Sequence, residues 1–486
     1  MTSTAPALRY GTPAARWTIV ATVLGSGIAF LDSTVVNVAL PAIERDLDAG
    51  MSGLQWTIDS YLVALGALLL LGGSLGDLFG RRLVFVAGLV AFGVASAACA
   101  LAPSVGALVA ARAAQGAAAA MLVPGSLAIL SASFHPDDRG RAIGAWSGLS
   151  GVTTALGPFV GGWMVDAATW RLVFLVNLPL IAIAVAIALA HVPETRDTTV
   201  ARHVDVPGAL TASVALAGVT YAVIEGPARS WTDPAVAGAL VVGLAAAVAF
   251  IAVERRVAQP MLPLEMFASR RFTGANVTTL FVYFALGGAM FFVVLQLQNV
   301  LGYSALEAGA SLFPVTLLLL ALSARAGALA QRIGPRLPMT AGPLVAAAGL
   351  ALMSGIEPGD SYAGGVLPGV GVFGLGLALT VAPLTSAVFA AVETRHAGVG
   401  SAVNNAVARV AGLLAVALLP LTSGVAGTDA DAFAGAFPRA LMTSSALCAL
   451  GGLVAWLSIR GSGVDQRMPP PAVDHPCERA PAKVGA

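Results

Sequence analysis

From Trp17 to Leu40 the chain runs 24 residues with one charge, Asp32, and stretches of this kind recur to a total of fourteen in 486 residues. In a helix rising 1.5 Å per residue, about 24 residues cover ~36 Å, more than the ~30 Å hydrocarbon core of a bilayer. Hydrocarbon offers no partner for a peptide group, so such runs must close their own hydrogen bonds as helices. Composition leaves no other solvent. Hydrophobic residues make up 57% and charged residues 10%, where a soluble domain carries about 25% charged residues, and mean hydropathy is +0.85. The chain reads as an all-α integral membrane protein of fourteen transmembrane helices.

The runs fall into groups. Residues 1–16 are polar, and residues 17–192 hold six runs: Trp17–Leu40, Ser52–Gly72, Leu83–Leu101, Val105–Leu130, Ala142–Val165 and Leu172–Ala190. Residues 193–271 form a linker with two further crossings, near Pro207–Ile224 and Pro234–Val253. Residues 272–459 hold six more: Phe272–Leu297, Ala308–Ala328, Leu337–Ile356, Ala363–Val392, Gly398–Leu421 and Phe437–Ile459. The tail, 460–486, is rich in Pro and charge and is expected to be disordered. The first run exceeds a signal-peptide core and is read as a retained helix.

A charged turn, Gly73-Ser-Leu-Gly-Asp77-Leu-Phe-Gly80-Arg81-Arg82, joins the second and third runs. A weaker copy, Gly327-Ala-Leu-Ala-Gln331-Arg-Ile-Gly334-Pro-Arg336, follows 254 residues later. Four of ten positions match, and eight runs separate the copies, so both lie on one side of the membrane. This is the pattern of two six-helix pseudo-repeats with two inserted helices. Twenty of the 26 Lys and Arg lie on the Arg81 side, four (Arg45, Arg171, Arg229, Arg439) on the other, and Arg112 and Arg409 within helices. The bias of positive charge places both termini and both turns in the cytoplasm.

Five motifs in order resemble the major facilitator superfamily, and more narrowly its fourteen-helix branch of proton-linked drug exporters. They are Leu31-Asp32-x-Thr34-x-x-Asn37-x-x-x-Pro41 and the Gly73–Arg82 turn, then Arg112-x-x-Gln115-Gly116, Gly151-x5-Gly157-Pro158-x-x-Gly161-Gly162, and Trp170-Arg171-x-x-Phe174-x-x-Asn177-x-Pro179. The resemblance implies a conformational gate at Gly73, Asp77, Gly80, Arg81 and Arg82, and an exporter signature in Gly157, Pro158, Gly161 and Gly162. The residues also have plainer readings: a positive-inside anchor with a tight Gly turn, and small-residue helix packing with a proline kink. The second copy departs from the first at Gln331, and no acidic residue lies within the later runs.

Charges inside the bilayer point to the chemistry, since burying one costs about 2.5–3.5 kcal/mol on insertion scales. Asp32, Asp59 and Arg112 fall at one depth, roughly 10–14 Å from the helix ends away from the charged turn. Asp32 or Asp59 can titrate against Arg112, steadied by Gln115 one turn on; a static ion pair is the other reading. Trp56, Tyr61, Gln115, Asn177, Asn404 and Asn405 are candidates for a substrate path, or for interfacial and packing roles. The five His all map outside the runs, and Cys99 and Cys448 read as packing residues.

A net charge of +1 excludes a basic nucleic-acid face. No Gly-x-x-x-x-Gly-Lys-Ser/Thr loop marks an ATP-driven pump, and no clustered His, Asp or Cys marks an enzyme. The expectation is proton-coupled efflux of a hydrophobic or cationic drug or antibiotic by alternating access. It needs no cofactor beyond the proton gradient and places a monomer in a bacterial cytoplasmic membrane. A facilitator or symporter of an ordinary solute shares this fold.

Overall fold

Capping residues and buried apolar length together set where the first helix begins and ends. The computed structural model describes residues 7–196, 205–257, 260–392, 397–425 and 430–459. Helix α1 (Pro13–Leu47) starts at Thr12, whose hydroxyl accepts from the Ala15 N–H at 3.3 Å, with Pro13 in the first turn where its missing N–H loses nothing. It runs past Pro41, where the sequence reading ended it. Val38, Ala39, Leu40 and Ile43 are fully buried there, and their packing outweighs one lost helical bond. The expected disordered tail, 460–486, lies outside the described residues.

The N-terminal group continues with α2 (Gly50–Phe79), α3 (Arg81–Ala100), α4 (Val105–Ser133), α5 (Pro136–Ala167) and the short α6 (Leu172–Leu175) leading into α7 (Asn177–His191). Then come α8 (Val206–Arg229) and α9 (Pro234–Glu254). The C-terminal group comprises α10 (Arg270–Leu295), α11 (Ala305–Ser311), α12 (Phe313–Ile333), α13 (Arg336–Met353), α14 (Leu367–Ala390), α15 (Ala397–Ser423) and α16 (Ala430–Ser458). Among the described residues, twelve helices or joined helices are long and apolar enough to cross a bilayer, and α2, taken with its bend, makes a thirteenth. The expected fourteen is therefore not reached on this measure. Helix α5 is the shortfall: 32 residues long, it carries Asp137, Asp138, Arg139 and Arg141 near its start and a Gly-rich middle.

The charged turn is also tighter than the sequence suggested. Gly73 to Phe79 complete α2, Arg81 opens α3, and Gly80 alone makes the corner at φ 114°. Gly334, followed by Pro335, turns the chain between α12 and α13 at φ 88°. Both are backbone conformations that side-chain-bearing residues avoid. The repeat seen as four matching letters is thus a repeat of geometry.

Within the first group α2 packs on α4, α1 on α5 and α7, and α3 on α4; within the last, α13 packs on α14 and α16, and α10 on α15 and α16. The groups meet along two seams, α2 against α15 and α5 against α11 and α12, with α1 touching α10 between them. Helix α8 lies against both α2 and α15, covering the first seam. It packs closely on α9 because a Cβ at Gly218 would come within 2.7 Å of the Ala239 carbonyl oxygen.

Helix α8 is bolted to the first group by an acid that the sequence reading placed just past the end of a run. Glu225 Oε1 accepts from the Ser52 hydroxyl at 2.8 Å and the Trp56 indole N–H at 2.9 Å, while Oε2 accepts from Arg229 at 3.0 Å. Glu225→Ala is expected to cost about 1–3 kcal/mol, read as a lower melting temperature in detergent with helix content unchanged. An unchanged melting temperature would show that packing alone seats α8.

Hydrogen bonds between the two groups lie at the end away from the Arg81 turn. Gln55 donates to the Val416 carbonyl at 2.9 Å, Gln298 to that of Val38 at 3.0 Å, and Asp166 accepts from the Ala305 and Leu306 N–H groups at 3.1 and 2.8 Å. The Asp166 carboxylate thereby caps the start of α11, where the helix dipole favours a negative charge. Nearer the Arg81 side, built Cβ atoms at Gly140, Gly144, Gly148 and Gly151 of α5 meet nothing within 4 Å. The two groups are closed at the Arg171 face and parted at the Arg81 face.

Candidate functional site

Five helices of the first group bring polar groups to one buried point. Asp32 of α1 is 1% exposed and Arg112 of α4 likewise. Arg112 Nη1 donates to Asp32 Oδ2 at 2.5 Å and to Gln115 Oε1 at 2.6 Å, and its Nε donates to the Thr57 carbonyl of α2 at 3.0 Å. The other carboxylate oxygen, Oδ1, accepts from Gln115 Nε2 at 2.9 Å and from Asn177 Nδ2 of α7 at 3.0 Å. Ser96 of α3 accepts from the same two amides, at 2.9 and 3.3 Å. Tyr61 lies flat beneath the guanidinium, 4.4 Å from ring centroid to Cζ, with its hydroxyl donating to the Ala29 carbonyl at 3.1 Å.

The reason the ions meet is close backbone approach. A Cβ at Gly116 would fall within 2.9 Å of the Tyr61 carbonyl carbon, so only glycine lets α4 sit that near α2. A charge pair in hydrocarbon is tolerable when its polar atoms find partners, and here both carboxylate oxygens accept hydrogen bonds.

Asp59 does not join this cluster. Both of its carboxylate oxygens are buried with no hydrogen-bond partner among the described residues. It shares the α2 face of Gln55 and Gly66, which meet α15, so it sits in the seam between the groups rather than beside Arg112. Equal depth did not mean equal direction around the helix.

The remaining candidates separate likewise. Tyr61, Gln115 and Asn177 belong to the ion cluster and are fully buried. Trp56 is tied to Glu225, and Asn404 donates to Asn276 and Thr279 of α10 at 3.2 and 2.7 Å, joining two helices of one group. Asn405 is half-buried. At the Gly80 corner Arg81 pairs with Asp77 at 2.8 Å, Arg82 donates to the Val192 carbonyl at 3.1 Å, and Glu194 accepts from the Arg82 and Leu83 N–H groups at 3.1 and 3.2 Å. These contacts stay within the first group. Gly157 and Gly161 let α5 touch Thr34 and Val35 of α1, while Gly162 lies on the backbone of Ala305 and Leu306 across the second seam. The sequence reading missed Thr57, Ser96, Asp166 and Glu225; the last two border runs whose limits were drawn at the charges themselves.

Two helical groups packed on one another around buried charges are the build of a multi-pass membrane transporter. The chain belongs to the Major Facilitator Superfamily, whose family model matches residues 22–416. It is 36% identical over 403 residues to the Multidrug resistance protein Stp of Mycobacterium tuberculosis, covering 83% of this chain and 74% of that protein. It is 35% identical over 402 residues to the Tetracenomycin C resistance and export protein of Streptomyces glaucescens, with the same coverage. In fold it is similar to a bacterial homologue of the human lysosomal transporter Spinster, crystallised in an inward-facing, unoccupied conformation, at a TM-score of 0.65 and 16% identity over 92% of this chain and 97% of that one.

Proposed function

We propose that the protein exports drugs or antibiotics across a bacterial cytoplasmic membrane in exchange for protons. The observation that carries this is the fully partnered Asp32 carboxylate on Arg112, at membrane depth, in a chain whose relatives are named for resistance and export. In the state described here the substrate enters from the Arg81 side, read as cytoplasmic from the bias of positive charge. A proton reaching Asp32 displaces Arg112, which loosens α1 from α4 and favours the opposite opening. Asp59 is the second carboxylate able to carry a proton on this reading.

Counting α5 as a span, since it packs along α1 and bridges to α11, gives the fourteen helices of the exporter branch. Both walls of the transport path come from one chain, so a monomer suffices, and no cofactor enters. The Asp77–Arg81–Arg82 corner acts as a gate element engaged in the other state.

The test uses proteoliposomes with an acid interior and an entrapped pH dye. Tetracenomycin C added outside should trigger proton efflux that protein-free vesicles lack. Substrate that equilibrates down its own gradient without moving protons would favour a facilitator.

A further inference from the structure

We propose that Arg409 is a substrate-binding residue that selects organic anions carrying an aromatic ring. This rests on the exporter reading and names the substrate class. Arg409 lies near the middle of α15 and is half-buried. Its guanidinium stands 5.3 Å from the ring of Phe30 on α1, across the gap between the two groups. Gly66 of α2 faces its Cβ, a Cβ built there lying 4.0 Å from it. Helices from both groups therefore converge on it.

A structural arginine in hydrocarbon finds acceptors, as Arg112 does with Asp32, Gln115 and the Thr57 carbonyl. Arg325, exposed and about 12 Å from the Arg81-side end of α12, turns back onto the Ala321 carbonyl. Arg409 makes no hydrogen bond and no ion pair among the described residues; the Phe30 ring is its one contact of this kind. Its five N–H donors are left without an acceptor among the described residues, where α1, α2 and α15 meet.

The acids nearby cannot answer it. Asp32, two residues from Phe30, is closed by Arg112, Gln115 and Asn177. Asp59 is 0% exposed in the seam. Mid-membrane, the charge presented to the gap is a cation, so a carboxylate or sulfonate is the complementary ligand, its ring stacking against Phe30.

The test is equilibrium dialysis of the purified full-length protein at neutral pH with radiolabelled 2-naphthoate, 2-naphthamide and 2-naphthylmethylammonium, one ring in three charge states. Wild type should bind the anion at least about tenfold more tightly than the amide, the fold-change expected for a charge-assisted hydrogen bond. Arg409→Gln should bring that ratio to about one, with a melting temperature close to wild type reporting an intact fold, and Arg409→Lys should restore part of it. No anion preference in wild type, including no binding of any probe, overturns the proposal, as does a preference that survives Arg409→Gln. Anion-selective binding that depends on Arg409, without uphill transport in vesicles, would uphold the site and remove the exporter reading instead.

Discussion

Asp32→Asn is expected to leave the protein folded and still able to bind substrate, yet to lower proton-driven substrate accumulation to the level of protein-free vesicles. An asparagine fills the same space and still accepts from Gln115 and Asn177, while Arg112 keeps Gln115 Oε1 and the Thr57 carbonyl. What it cannot do is exchange a proton for the guanidinium. Arg112→Ala should behave differently, because it strands a buried carboxylate, a change that costs about 3–5 kcal/mol and should show as poor yield and a lower melting temperature. The pair Asp32→Asn with Arg112→Gln should regain stability but not coupling. The measurement is pH-dye efflux beside thermal melting on all three variants. Accumulation that persists in Asp32→Asn would make the pair structural, and Asp59→Asn would become the next variant to assay.

Gly162→Leu should hold the Arg171 face apart. A Cβ there would lie 2.6 Å from Leu306 Cα and would overlap the Ala305 carbonyl oxygen, both of them backbone atoms of α11 that no rotamer change can move. The second seam then opens or the helix shifts, and the Asp166 cap on α11 is lost with it. A cysteine placed at Asn37, in a background without the native cysteines, should react several-fold faster with an impermeant maleimide added from the Arg171 side, and export should stop. Gly157→Ala is the control. Its added methyl meets Thr34 within the first group, so it should cost stability without changing access. Equal labelling of wild type and Gly162→Leu would mean that the seam opens elsewhere.

These two variants illustrate how differently the parts of the site could be read. Counting residues along each run put Asp32, Asp59 and Arg112 at one depth with Gln115 one turn on, and left open which carboxylate meets the arginine. Asn177 was singled out too, but as path lining rather than as the fourth member of the cluster. Asp59 was grouped with Arg112 because it has the same depth, and in the fold it faces α15 with no partner. Glu225 and Asp166 escaped notice because a hydropathy run ends where a charge begins, even when the helix continues through it.

The sequence by itself determined that the chain lives in a bilayer, where its helices run, that its two ends are built alike, and how deep each charge lies. Depth is legible because helical rise is the same for every residue type. Tertiary structure decided which face of each helix meets which neighbour: Arg409 over Phe30, Glu225 on Trp56, Gly162 on α11, and the opening at the Arg81 face. Rotation about a helix axis is set by close packing of small residues between separate helices, and in lipid no apolar face is favoured over another. That information resides in pairs of distant residues, so no single run contains it.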